Sequence, residues 1–482
     1  MSTSKLAETT GGSSPELAFE GVAGMAEKVA GRAISARELT AYCLDRIDRL
    51  DPRLGAFVAV LREEALAEAA ALDERQARGE ELGPLHGVPI AIKDENHVRG
   101  VVTGYGTGAF DRVAEADSAV VARLREAGAV IIGKTAMPEF GIYPFTESIT
   151  HGHTRNPWDP EKSTAGSSGG TAAAVASGMV PAGIGGDGGG SIRLPSAWCG
   201  LFGLKPQRGR VSTAPNSDLW KSLGTLGPLT RSVRDSALIY DAISGTTPGV
   251  DRFTAEPWPI TLSEAAVREP GRLRIALSLA PPAFTTSVDA ATASAVRRMA
   301  DLLADLGHEV IEQDPDYVEL AAAFSPQMAA GVAEEAARAD HRERLDRRTL
   351  TLAALGRPAN NRVIEPAAEA LAARLSAKIL GIFDTVDVVL CPTVPSTAWP
   401  LGQLDDVGFV KASARGLRAA GYTIVWNVCG NPAAAVPAGF DVTGMPYSVQ
   451  LVGRPHDEPT LVSLAAQIEA AQPWAHARPR LS

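Results

Sequence analysis

Between Ser163 and Pro206 the chain reads STAGSSGGTAAAVASGMVPAGIGGDGGGSIRLPSAWCGLFGLKP, with two glycine clusters each wrapped around serine. Ala165-Gly166-Ser167-Ser168-Gly169-Gly170 opens a run of good helix formers from Thr171 to Ala176. Gly185-Gly186-Asp187-Gly188-Gly189-Gly190-Ser191 follows a short apolar run and precedes Ile192-Arg193-Leu194-Pro195. Glycine at this density costs backbone entropy and offers no side chain to pack. It is tolerated where the backbone must take unusual dihedrals or come very close to something. A Gly/Ser tether is polar and repetitive. These clusters lie inside apolar, alanine-rich sequence, so they mark a site.

The flanking sequence alternates between two periodicities. Ser35-Ala-Arg-Glu38 is a capping box, and Leu39, Cys43, Ile47 and Leu50 then share one helical face until Pro52 is expected to stop it. A second helix is expected over Glu63 to Arg78. Pro84 to Lys93 reads as a turn and a short buried strand ending in lysine. Residues 118–127 form an amphipathic helix ended by Gly128, and Ala129 to Ile132 is an apolar run of strand length. Helices are expected at Arg231–Tyr240, Asp289–Leu306 and Thr460–Ala471, and strands at Leu273–Leu277, Val310–Ile311 and Val386–Cys391. Residues 317–382 are mostly helical, rich in alanine and arginine. Alternating strands and helices argue a layered α/β architecture. Neither a linker nor a repeat divides the chain, so one large domain is expected: a disordered start over 1–14, a helical segment over 15–80, and a core over 81–478.

Charge and cysteine usage exclude several functions. The formal net charge of −10 argues against nucleic-acid or anionic-membrane surfaces. Four scattered cysteines without a CxxC pair give neither a zinc site nor a disulfide framework. The polar first residues lack an apolar signal-peptide core, and no run reaches membrane-spanning length. The expectation is a soluble cytoplasmic protein, a monomer or homodimer, with no nucleic-acid or membrane partner.

Three motif matches fail on context. Gly128-Ala-Val-Ile-Ile-Gly133-Lys134-Thr135 fits a phosphate-binding loop, but its four intervening residues are themselves the strand and Met137-Pro138 follows. Gly166-Ser-Ser-Gly-Gly170 fits a nucleophile elbow centred on Ser168. That elbow needs a strand immediately before it, whereas a proline-broken polar loop precedes, and His308 and His456 lie in unremarkable contexts. His151-Gly-His153 has no supporting ligand cluster in the sequence, so no metal is expected.

Lys93, Ser167 and Ser191 remain. A serine nucleophile needs a base, and a lysine can serve once burial has made it neutral. Lys93 ends the apolar run Val88-Pro-Ile-Ala-Ile92, although taken alone it reads better as a lysine snorkelling from a strand end. The glycines ahead of Ser191 supply the other half. Residues without side chains can turn several backbone amides toward one point, as an oxyanion hole requires. Asp187 and Arg193 flank that turn with opposite charge and read as its braces.

Together these residues resemble the amidase signature family. The matching blocks include Gly87-Val-Pro-Ile-Ala-Ile-Lys93-Asp94, Gly128 to Phe140, Thr154-Arg-Asn-Pro-Trp158 and Gly166-Ser-Ser-Gly-Gly170. They continue with Asp187-Gly-Gly-Gly-Ser-Ile-Arg193, Gly203-Leu-Lys-Pro206, Gly227 to Val233, Asn427-Val-Cys-Gly-Asn-Pro-Ala and Val449 to Pro455. They follow the family's order over nearly the whole chain. The resemblance implies an α/β/α fold with a large mixed sheet and a Ser-cisSer-Lys triad needing no metal or cofactor. Ser191 would be the nucleophile, Ser167 on a cis peptide the proton relay and Lys93 the base. The amides of Gly188, Gly189, Gly190 and Ser191 would form the oxyanion hole. The chain departs from the family's usual pattern at Gly186 and Gly188, where threonine is common, and at Thr164-Ala165-Gly166, where a pair of glycines often precedes the serines. Glycine at 188 is expected to leave the turn looser and the pocket roomier.

For this chain the resemblance implies hydrolysis of small or aryl amides, with esters and carbamates (urethanes) sharing the attacked carbonyl. Phe140, Gly141, Ile142 and Tyr143 are expected to line an apolar pocket for an uncharged, aryl-type substrate, with 317–382 as a lid. Two alternatives are an amidotransferase subunit acting with partner subunits and a non-catalytic binding protein. The first fits poorly with Thr213 to Leu223, which departs from that subunit's usual sequence. The second leaves the retention of Lys93, Ser167 and Ser191 without a reason.

Overall fold

The apolar runs around Lys93 and Lys134 become neighbouring strands, β2 (Pro89–Lys93) and β3 (Val130–Thr135), parallel and joined through the helix Ala119–Glu126. Parallel strands need such a crossover. The computed structural model describes residues 16–282, 286–318, 320–361 and 364–482; the expected disordered start lies outside them. Every residue of β2 and β3 is buried, which is why neither strand alternates polar and apolar residues.

Nine further strands extend this pair into one mixed sheet of 11. They are β1 (Phe57–Val60), β6 (Ala182–Asp187), β7 (Phe202–Lys205), β8 (Thr225–Thr230), β9 (Arg274–Leu277), β10 (Glu309–Glu312), β11 (Val388–Pro392), β12 (Ala433–Phe440) and β13 (Pro446–Gly453). The order is β1-β3-β2-β6-β8-β7-β12-β13-β11-β9-β10. A separate two-stranded ribbon pairs β4 (Glu147–Ser148) with β5 (Gly152–His153). Helices cover the sheet, giving the expected α/β/α arrangement.

The capping box forms as read: Ser35 Oγ accepts from Glu38 N (3.1 Å) and Ser35 N donates to Glu38 Oε2 (2.9 Å). Pro52 does not stop the helix, which runs from Ala36 to Leu54. Proline forfeits a single ladder bond there, on an exposed side of the last turn. Gly55 at φ +62° makes the actual stop, and Asp51 Oδ1 closes it by accepting from the amides of Ala56 (2.6 Å) and Phe57 (3.1 Å).

Strand β6 positions the site. It lies parallel to β2, with Ile92 opposite Ile184, so Lys93 and Asp187 leave the sheet at the same edge. Ligands of α/β sheets gather at the carboxyl ends of parallel strands. The helix Gly169–Ala176 starts just after Ser167, and the helix Arg193–Cys199 just after Ser191. Ser191 thus stands at a strand-to-helix turn above that edge, and Ser167 at a loop-to-helix turn beside it.

Candidate active site

Lys93 is buried, with 1% of its side chain exposed, and its Nζ donates to Ser167 Oγ at 2.8 Å. The Gly166–Ser167 peptide is cis. Burial moves the Lys93 ammonium below its ordinary pKa, while the charges of Glu95 and Asp187 pull the other way. Ser191 shares with Lys93 and Ser167 a small cavity that is also lined by Glu95, Gly186, Gly188 and Trp220. Sequence residues 74 and 98 apart from the base are therefore gathered at one point.

Asp187 and Arg193, both fully buried, are joined side chain to side chain by two hydrogen bonds: Arg193 Nη2 to Oδ1 (2.9 Å) and Nε to Oδ2 (3.0 Å). Asn427 Nδ2 donates to Asp187 Oδ1 (2.9 Å), and Arg193 Nη1 reaches Gln450 Oε1 (2.7 Å). Burial alone would raise the Asp187 carboxyl, but the Arg193 guanidinium, helped by Asn427, holds it well below the usual carboxylate range. Burial pushes neighbouring Lys205 down to about 7, with Arg193 adding repulsion. The two flanking charges are thus one buried network that fixes the turn, not separate surface groups.

That network spends one of the four expected oxyanion amides. Gly190 N donates to Asp187 Oδ1 at 2.7 Å, so it is not free for a ligand. The amides of Gly188, Gly189 and Ser191 have no partner among the described residues. Gly190 itself has φ +125°, a conformation that side-chain-bearing residues rarely adopt.

The departures at 186 and 188 do not open the pocket, contrary to expectation. A Cβ at Gly188 would lie 2.6 Å from the Trp220 ring, and one at Gly186 would overlap the Glu95 carboxylate. The missing side chains are replaced by those two residues. Trp220 and Lys221 both have positive φ (51° and 61°), which side-chain-bearing residues seldom adopt outside functional turns. They belong to the 213–223 segment whose sequence departs from the amidotransferase pattern, and that departure was the available signal for Trp220. Glu95 was signalled only as a carboxylate two residues beyond Lys93.

A second, apolar cavity of about 370 Å³ opens from Ser191. Gly141, Ile142, Tyr143 and Pro144 form one wall, as expected for the first three. Phe140 does not: at φ 49° it turns away and packs with Tyr105 and Phe110, ring centres 6.3 and 6.1 Å away. From 317–382, Phe324, Met328 and Leu352 contribute. The helix Phe409–Cys429, which sequence periodicity did not single out, supplies Phe409, Leu417 and Ile424. No charged side chain lines this cavity among the described residues.

The dismissed motifs have structural occupations. Lys134 is buried against Asp94 (3.1 Å) and Asn96 O (2.8 Å). Ser168 Oγ donates to Gly186 O (3.2 Å). His153 Nε2 meets Asp405 Oδ1 (2.9 Å) beside Glu147. The Glu147 carboxylate is itself occupied by the amides of Gly402, Gln403 and Leu404 (2.9, 3.0 and 2.7 Å), so the group clasps a loop.

The amidase family model matches residues 38–462. AmiB2 of Mycobacterium tuberculosis (strain ATCC 25618 / H37Rv), an amidase by name, is 47% identical over 470 residues, spanning 97% of this chain and 99% of its own. The structure of 6-aminohexanoate cyclic dimer hydrolase superposes with a TM-score of 0.90 at 29% identity, covering 96% of this chain and 99% of that one. A bacterial aryl acylamidase of the amidase signature enzymes gives a TM-score of 0.83 at 26% identity, covering 95% and 97%.

Proposed function

The chain belongs to the amidase family, a hydrolase acting on the C–N bonds of amides, and we propose that it does so by a Ser191 acyl-enzyme with Ser167 and Lys93 as its proton path. One observation carries this reading: buried Lys93 Nζ lies 2.8 Å from Ser167 Oγ in a cavity that also holds Ser191. Neutral Lys93 draws the Ser191 proton through Ser167 as Ser191 Oγ attacks the carbonyl. The oxyanion turns toward the amides of Gly188, Gly189 and Ser191, where each preorganised donor contributes about 2.7–4 kcal/mol in the transition state. The proton returns through Ser167 to the leaving nitrogen, the amine departs, and water enters by the reverse path to free Ser191.

The apolar cavity takes an uncharged acyl or aryl group, with the helices of 317–382 as its cover. Aryl amides are the favoured substrates, and esters and carbamates present the same carbonyl. A serine-directed fluorophosphonate tests the nucleophile covalently. The expected result is one adduct on the peptide carrying Ser191, absent from Ser191→Ala; an adduct elsewhere with Ser191 unmodified contradicts it.

A further inference from the structure

Glu95 has no part in the proton path, yet its carboxylate lies inside the catalytic cavity. Its Oε2 is 3.2 Å from Lys93 Nζ, and the side chain is 10% exposed. Its Oε1 is buried and accepts no hydrogen bond from any described residue. That oxygen occupies the space that a side chain at Gly186 would fill, on a cavity wall shared with Ser167 and Ser191. The cavity has room for about one water-sized group, roughly 10 Å³. A buried acceptor without a donor is costly to maintain, so a donor arriving with the substrate is favoured there.

We propose that Glu95 is a specificity-determining residue that reads the leaving-group nitrogen, its free Oε1 accepting the N–H of the scissile amide. This rests on the Ser191 acyl-enzyme reading above. In acylation the Ser191 Oγ–carbon bond forms and the carbon–nitrogen bond breaks. The proton lost by Ser191 ends on nitrogen, and Glu95 neither gains nor loses one. An ester puts a bridging oxygen without hydrogen against the same carboxylate, lone pair facing lone pair. A carbamate would bind with its N–H side toward Glu95, so that the C–N bond is the one cut.

The test compares kcat/KM for a matched anilide and phenyl ester of one acyl group, because both values report the steps through acylation. In Glu95→Gln, Lys93 Nζ holds the amide oxygen in the Oε2 position, which places the NH2 group where Oε1 was. A donor then meets the substrate's donor. The amide-to-ester ratio is expected to fall about tenfold, the size of one buried hydrogen bond, whatever change both rates share through Lys93. Gly186→Ala, which displaces the carboxylate without removing it, is expected to lower the ratio in the same direction. A ratio within about threefold of wild type in both variants, with hydrolysis still dependent on Ser191, overturns the assignment of Glu95 alone. Hydrolysis that survives Ser191→Ala overturns the acyl-enzyme reading and this inference with it.

Discussion

Lys93 Nζ and Ser167 Oγ are 2.8 Å apart although 74 residues separate them in the chain. Strand β2 delivers the lysine to the sheet edge, and the turn ahead of the helix Gly169–Ala176 delivers the serine to the same point. Burial of both groups is what turns a lysine into a candidate base.

Lys93→Ala is expected to lower kcat by about 10²–10⁴-fold, the range for loss of a positioned acid–base group. Its circular dichroism should stay that of the wild type. Retained turnover removes Lys93 as the base.

The pH dependence has a definite sign. The proposed base would work in its neutral form, so kcat/KM should rise with pH through the Lys93 titration. Burial sets that limb below the pH at which an exposed lysine titrates. Glu95 and Asp187 both oppose the shift, so Glu95→Gln should move the limb to lower pH. A limb that stays in place in this variant would separate Lys93 from the observed titration.

Arg193→Leu leaves the Asp187 carboxylate buried without its cation. Breaking a buried pair from one side costs about 3–5 kcal/mol, to be read as a lowered urea midpoint at unchanged slope. Turnover should fall as well, because Asp187 also holds the Gly190 amide in the turn ahead of the proposed nucleophile Ser191.

The large cavity predicts a chain-length series. Each methylene buried contributes about 0.8 kcal/mol, so kcat/KM for straight-chain acyl anilides should rise about fourfold per carbon until the cavity is filled. Acyl chains ending in carboxylate should react poorly, since no charged side chain lines that cavity among the described residues. A flat series would place the acyl group elsewhere.

The sequence made some of this legible and hid the rest for physical reasons. Lys93, Ser167 and Ser191 could be singled out as candidates, which the fold brings to one cavity, because glycine clusters and a lysine closing an apolar strand are local signals. Strand β6, reading Ala-Gly-Ile-Gly-Gly-Asp, carries little strand propensity; its conformation comes from pairing with β2 and β8. Asn427 and Gln450 stood in blocks already noted, but their bonds to the Asp187–Arg193 pair cross more than 200 residues. Phe140 was misplaced because a positive φ turns it from the pocket, and apolar composition cannot reveal that turn. The effect of Gly188 was misjudged because the space it vacates is taken by Trp220, a neighbour only in three dimensions.

The most direct measurement follows amine release from matched 4-nitroaniline amide and carbamate substrates by wild type and Ser191→Ala. Wild type should release amine, with the mutant reduced to background while its melting temperature is unchanged. A folded Ser191→Ala protein that releases amine at the wild-type rate would contradict Ser191 as the nucleophile.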